Sequence, residues 1–171
     1  MNKIQREDIQ DFVSSFPLKE LLHNRTILIT GATGLIGSNL VHCLLALDCK
    51  IKVVAPIRDL KKAVRIFSQN ELENIRLIEC DIVSYNYDAL YDIDFIIHCA
   101  APTASKYFIE HPVETFDVIY SGTKVLLNYA RKRQIKGFVY LSSLEVYGEI
   151  YDESNPVFEE TQGYLDVMAV R

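Results

Sequence analysis

The sequence predicts an α/β fold built on a doubly wound parallel sheet. Two observations carry that expectation. Five short apolar, β-branched runs alternate with segments of helical character. The first run, residues 26–30 (TILIT), passes straight into glycines spaced three apart, Gly31, Gly34 and Gly37, and these open an amphipathic segment at residues 35–47. Strand, tight glycine turn and helix is the local form of a dinucleotide-binding βα unit. Gly31 is expected to turn the chain off the strand. Gly34, lacking a Cβ, leaves a pyrophosphate room to approach, and Gly37 lets the helix pack closely on the sheet. With Thr33, Leu35 and Ile36 they form the start of a helix whose unpaired N–H groups favour an anion. A turn of the same shape that binds nothing is the alternative. The alternation of strands and helices that follows argues against it.

Composition narrows the function classes. The 171 residues suffice for one domain with a sizeable core, at 49% hydrophobic and 24% charged residues. The net charge of −5 and the absence of a long basic block disfavour a nucleic-acid partner. No apolar run reaches membrane-spanning length, and the polar start MNKIQREDIQ has no apolar signal core, so no membrane and a cytoplasmic location are expected. Cys43, Cys49, Cys80 and Cys99 lack metal-ligand spacing, and no metal site is expected. Cys80 and Cys99, in apolar runs, read as buried thiols in a reducing compartment.

Residues 1–24 read as an N-terminal packing arm, with helical turns at 8–13 and 18–22 broken by Pro17. Residues 25–171 read as the dinucleotide-binding domain. The second strand is expected at residues 51–57. An acidic residue at its end would suit the ribose hydroxyls of NAD, and a basic one the 2′-phosphate of NADP. The chain has Arg58 there, with Lys61 and Lys62 soon after and, beside it, Asp59, which could serve a ribose instead. Arg58 is a candidate for phosphate binding or adenine stacking, against a plain solvated charge. The choice between NAD and NADP stays open.

A helix is expected at residues 60–67 and the third strand at 75–80. Asp81, at that strand's end, is placed to accept from an adenine amino group, with Ile82 against the ring. The alternative is a turn-capping carboxylate. After a connection at 85–91, residues 94–101 form the fourth strand and its exit, where the small Ala100 and Ala101 admit a cofactor ribose. His98, inside that strand, reads as a core-edge histidine and not a catalyst. A long amphipathic helix is expected at 112–133, with Pro112 near its start and Arg131, Lys132 and Arg133 near its end. The fifth strand is expected at 137–142. Directly after it, Ser143 is suited to donate to a substrate oxygen, and Glu145 to act as a base or orient a water. An ordinary polar loop is the alternative.

Three stretches together, TGATGLIG (residues 30–37), HCAA (98–101) and SSLEVYGE (142–149), resemble the extended short-chain dehydrogenase/reductase superfamily. Within it the chain is similar to the NAD-dependent epimerase/dehydratase family. The resemblance implies a Rossmann sheet with a small C-terminal substrate domain and a tightly held NAD or NADP. It also implies transient oxidation of a nucleotide sugar, followed by epimerisation, dehydration or decarboxylation. Ser143 matches the family's catalytic Ser/Thr and Glu145 its acid. Leu144 stands where dehydratases carry Asp, and APTASKYFIEHPVETFDV looks like the UDP-glucuronate decarboxylase branch. Ile119 departs from the usual Asn of NxxGT.

After the fifth strand, where the family carries a Tyr-x-x-x-Lys pair on the next helix, none is found. Tyr147 is followed four residues on by Tyr151, Tyr151 by Asn155, and Tyr164 by Met168. The resemblance therefore implies the N-terminal portion of a longer enzyme, truncated before its last strands and substrate domain, inactive alone and a homodimer at full length. It further implies that the helix at 112–133 exposes an apolar face, with Val118, Val125, Leu126 and Tyr129 as candidates. The rival function is a non-catalytic dinucleotide-binding or redox-sensing module.

Overall fold

The computed structural model describes residues 1–150 and 156–165. The chain divides into two compact units, Met1–Tyr140 and Leu141–Arg171.

In the first unit, β1 (Thr26–Thr30), β2 (Lys52–Ile57), β3 (Ile75–Glu79), β4 (Phe95–His98) and β5 (Gly137–Tyr140) form one parallel sheet of order β3-β2-β1-β4-β5. The chain winds outward from β1 to β3, then returns to place β4 on the other side of β1. β1 and β2 are covered on both faces and therefore read as continuous apolar runs. Alternation divides β1 between two cores. Ile27 and Ile29 pack with Val53, Ala55, Val41 and Leu44 on one face, and Leu28 packs with Val54, Ile96, Leu90 and Leu126 on the other.

At the amino ends of the strands, Asp94 ties three segments together. Its carboxylate accepts from the Thr26 N–H (2.9 Å) and pairs with Arg25 (3.2 Å) and Lys136 (2.5 Å). Partial burial pushes this carboxyl up, but the Lys136 and Thr26 hydrogen bonds and the two cations outweigh it and hold it below the usual range.

Helix α1 (Lys3–Ser15) begins five residues earlier than the sequence suggests. Asn2 and Gln5 form a reciprocal cap, with each side chain accepting from the other's backbone N–H (2.9 and 3.1 Å). Its Phe12 and Val13, with Phe16 beyond it and Leu22 of α2 (Lys19–Leu22), pack on the first core. Helix α3 (Leu35–Ala46) follows β1, and α4 (Leu60–Ile66) follows β2. The four-residue α5 (Gln69–Leu72) was not foreseen. It is held by Glu71, whose Oε2 accepts from the Ser68 N–H and hydroxyl (2.7 Å each) and whose Oε1 meets His42 Nδ1 at 2.5 Å.

The region expected as one helix at 112–133 is more complex. A further helix, α6 (Ser105–Glu110), precedes it. The run itself is α7 (Pro112–Phe116), a π-helical turn (Asp117–Ser121) and α8 (Gly122–Arg133). The expectation for its outer face needs correcting. Leu126 and Tyr129 lie inside the second core, where the Tyr129 hydroxyl donates to the Leu90 carbonyl (3.3 Å). Val118 and Val125 are half-buried. The exposed apolar stripe is instead Val113, Phe116, Tyr120 and Leu127, with the Phe116 and Tyr120 rings stacked. No described helix is long and apolar enough to cross a membrane.

The second unit contains a short 3₁₀ turn (Leu144–Tyr147), Gly148 at φ +69°, and an antiparallel pairing in which Glu149 and Tyr164 exchange backbone hydrogen bonds (2.8 and 3.0 Å). Tyr151, Asn155 and Met168, weighed above as parts of a Tyr-x-x-x-Lys pair, lie outside the described residues.

The corrected burial makes a simple test. Leu126→Ala should cost about 2–5 kcal/mol in urea denaturation, as for a large-to-small change in a packed core. Leu127→Ala, one residue on and half exposed, should stay within about 0.5 kcal/mol. Equal costs would refute this orientation of α8.

Candidate functional site

A cleft of about 480 Å³ opens in the first unit where the strand order reverses. Its walls come from the exits of β1, β2, β3 and β4, the start of α3, and the π-helical turn. The β1 exit determines its shape. Gly31 sits at φ +67°, and a Cβ there would lie 2.8 Å from the Ala100 nitrogen and the Cys99 carbonyl. The turn therefore rests directly on the backbone leaving β4. A Cβ on Gly37 would collide with the Gly31 carbonyl. Its close packing is thus onto the turn, a more local contact than the expected one with the sheet.

The turn is closed by Gly34 N–H donating to the Gly31 carbonyl (2.8 Å) and Ser38 N–H to the Gly34 carbonyl (3.0 Å). Gly34 caps α3 with no side-chain hydrogen bond. The first-turn N–H groups of a helix have no intrahelical acceptor. Polar caps are usual at such a start, yet here Leu35 and Ile36 are 82% and 56% exposed. Apolar side chains and unpaired donors together make a surface that suits an anion carried on an apolar body.

All eleven residues singled out for a cofactor line this one cleft: Gly31, Thr33, Gly34, Leu35, Ile36 and Gly37 from the turn, Arg58 after β2, Asp81 and Ile82 after β3, and Ala100 and Ala101 after β4. Asp81 also caps its turn, as the alternative reading had it. Its Oδ1 accepts from the Val83 (2.8 Å) and Ser84 (3.3 Å) N–H groups. Asp59, considered for a ribose, accepts from the Lys62 N–H (2.9 Å) as the cap of α4. Pro56, Ile57, Lys62, Cys99, Pro102, Thr103 and Val118 also line the cleft and were not singled out. Pro102 and Thr103 simply continue the β4 exit, which could have flagged them. Val118 could not be found by helical spacing, because it lies in the π turn. Cys80 and Cys99 are part-exposed, unlike the buried thiols expected, and what burial they have pushes both thiols up.

Ser143 and Glu145 belong to the second unit. The Ser143 Oγ accepts from the Glu145 N–H (3.3 Å) and caps the 3₁₀ turn.

Behind the cleft a polar chain crosses the core. The Thr123 hydroxyl donates to the Ile119 carbonyl (2.5 Å), so it must accept from His98 Nε2–H (3.1 Å). His98 Nδ1 is then the acceptor for the Thr30 hydroxyl (2.6 Å), whose oxygen accepts in turn from the Ala100 N–H (3.2 Å). This assigns the Nε2–H tautomer. The neutral ring satisfies both neighbours, and burial pushes its pKa down to about 4.

The model of the NAD dependent epimerase/dehydratase family matches residues 27–167. The chain belongs to that family. UDP-glucuronic acid decarboxylase 1 of Xenopus tropicalis is 31% identical over 97% of this chain and 39% of its own length. The dTDP-glucose 4,6-dehydratase of Streptomyces niveus is 29% identical over 77% of this chain and 43% of its own. Among solved structures, the UDP-glucose 4-epimerase of Bifidobacterium longum, in complex with NAD+ and UDP, superposes with a TM-score of 0.67 at 26% identity, covering 80% of this chain and 42% of that one. The chain thus spans about two-fifths of the length of the curated relatives it matches. The whole cleft falls within the residues that the epimerase/dehydratase family model covers.

The His98 chain carries a pH signature. Unfolding lets the ring take up a proton below its ordinary 6.5, while in the fold it stays neutral down to about 4. Stability should therefore be full above pH 6.5 and fall as pH drops toward 4, by at most about 1.4 kcal/mol per unit from this group. His98→Asn, which keeps a donor and an acceptor, should flatten that part of the slope in urea titrations at pH 7 and 5. An unchanged slope would show that folding does not lower the His98 pKa.

Proposed function

We propose that the cleft binds a nicotinamide dinucleotide and that the chain supplies the cofactor-binding part of a nucleotide-sugar epimerase or decarboxylase. One observation carries the reading: the uncapped start of α3, the Gly31 turn and the β4 exit converge on one cleft at the carboxyl ends of the strands, where the order reverses. The Gly31 cradle has no room for a Cβ and the apolar Leu35 and Ile36 are left uncovered, which fits such a ligand. The NAD dependence by which the family is described and the NAD+ complex of the Bifidobacterium epimerase support it.

In this reading the N–H groups of Leu35, Ile36 and Gly37 hold the pyrophosphate. Asp81 and Ile82 receive the adenine, and Ala100 and Ala101 the nicotinamide ribose. The bound cofactor would supply reversible hydride acceptance from a sugar carbon. Ser143 would donate to a substrate hydroxyl or carbonyl oxygen, and Glu145 would serve as a base or orient a water. Leu144, in place of the dehydratases' Asp, favours epimerisation or decarboxylation over loss of water. No Tyr-x-x-x-Lys pair follows β5 within residues 141–171, and the one match to that spacing, Tyr120 and Lys124, precedes β5. Dinucleotide binding is therefore proposed for these residues and sugar turnover for the longer family architecture.

Gly34→Val should weaken dinucleotide binding at least about tenfold by calorimetry, a cost near 1.4 kcal/mol, with the circular dichroism spectrum unchanged. A Cβ there would have only the Gly31 carbonyl within 4 Å, at 3.2 Å. Unchanged affinity would remove the cofactor reading. In the longer enzyme, Ser143→Ala should lower turnover on the order of 10²-fold and leave cofactor affinity nearly intact. Full turnover would reduce Ser143 to a turn cap.

A further inference from the structure

We propose that this cleft selects a dinucleotide bearing a 2′-phosphate, with Arg58 and Lys62 as the pair that binds it. The proposal rests on the dinucleotide reading above. It departs from the cofactor that the family description names and that the Bifidobacterium complex contains.

The argument begins at the end of β2, which in this architecture faces the adenosine ribose. A carboxylate there accepts from the 2′-hydroxyl and repels a 2′-phosphate. β2 instead ends on the buried Ile57, and the next residue is Arg58. Of the charged side chains lining the cleft, two are cations, Arg58 and Lys62, and one is an anion, Asp81. The neighbouring carboxylates are turned to other work. Asp59 caps α4 through the Lys62 N–H, and Glu79 Oε1 accepts from the Leu60 N–H (3.1 Å). Neither lines the cleft. The Asp59 cap also fixes the first turn of α4, and so the position of Lys62 four residues on from Arg58.

Among the described residues, neither Arg58 nor Lys62 forms an ion pair. Both are exposed and line the wall beside the strand end. A planar guanidinium fork and a compact ammonium suit the three oxygens of a phosphate monoester, whereas two ribose hydroxyls need neither charge.

The test is calorimetric titration of the purified protein with NADPH and with NADH, repeated with 2′,5′-ADP and 5′-ADP as adenosine-end probes. NADPH should bind at least about tenfold more tightly than NADH, and 2′,5′-ADP should show the same preference. The preference should shrink as salt is raised. Arg58→Ala with Lys62→Ala should abolish it by weakening NADPH while NADH affinity holds. Tighter binding of NADH by the unaltered protein would overturn the proposal and leave the dinucleotide reading standing. Equal weakening of both cofactors in Arg58→Ala would also overturn it, and would mean that the guanidinium stacks on the adenine. Binding of neither cofactor would overturn this proposal and the dinucleotide reading together.

Discussion

Backbone lies on backbone at Gly31, and the first unit is built around that contact. Where β1 leaves the sheet, the chain passes so close to the β4 exit that no side chain fits between them. The contact brings together the ends of two strands, β1 and β4, that are neighbours in the sheet but separated in sequence by β2 and β3. Gly37 then rests over the Gly31 carbonyl, which fixes where α3 begins and how its first turn faces. Strand order, helix start and cleft wall are thus consequences of one crowded turn. A methyl group at either glycine would have to move a main chain and not merely a flexible side chain.

The polar chain through Thr30, His98 and Thr123 stiffens the same place from beneath. It joins β1, β4 and α8 inside the sheet layer, and each donor in it has an acceptor. One such hydrogen bond contributes only about 1 kcal/mol net, whereas a buried group left without its partner costs up to about 3 kcal/mol. The chain therefore acts more by penalising displacement than by adding attraction. The Tyr87 hydroxyl is a contrast. It is buried without a hydrogen-bond partner among the described residues, and its ring contributes through edge contact with Tyr85 and packing on Tyr129.

What could be read in advance follows from how local each signal is. β1 and the Gly31–Gly37 turn were legible because their residue types are dictated by burial on both faces and by backbone clearance. The same holds for Arg58, Asp81 and Ala100, which inherit their place from the strands they follow. The four-residue α5 and six-residue α6 were not legible, since neither is long enough to show a helical period. The start of α1 was present in Asn2 and Gln5 but needed the capping pattern to be sought. Leu126 and Tyr129 went to the wrong face because helical spacing gives a stripe without saying which side meets the sheet. Ser143 and Glu145 stand out by their place directly after the fifth strand and by family resemblance, and the local geometry of Ser143 is that of a turn cap.

The π-helical turn at Asp117–Ser121 amounts to one residue more than an α-helix would need between α7 and α8. The turn serves two masters: Val118 reaches the cleft wall, while the Ile119 backbone carbonyl receives the Thr123 hydroxyl. The wider turn takes up its added residue in nearly the rotation of one α turn, so α7 and α8 keep a common phase across it. Removal of one residue would let the run relax to regular α geometry with both flanking helices near their present bearings. The change would fall on the turn itself, where the offset that lets Val118 line the cleft and Ile119 accept from Thr123 would be lost. A single-codon deletion here would act as a local edit, leaving the outer stripe in register while reassigning which side chain of the turn faces the ligand.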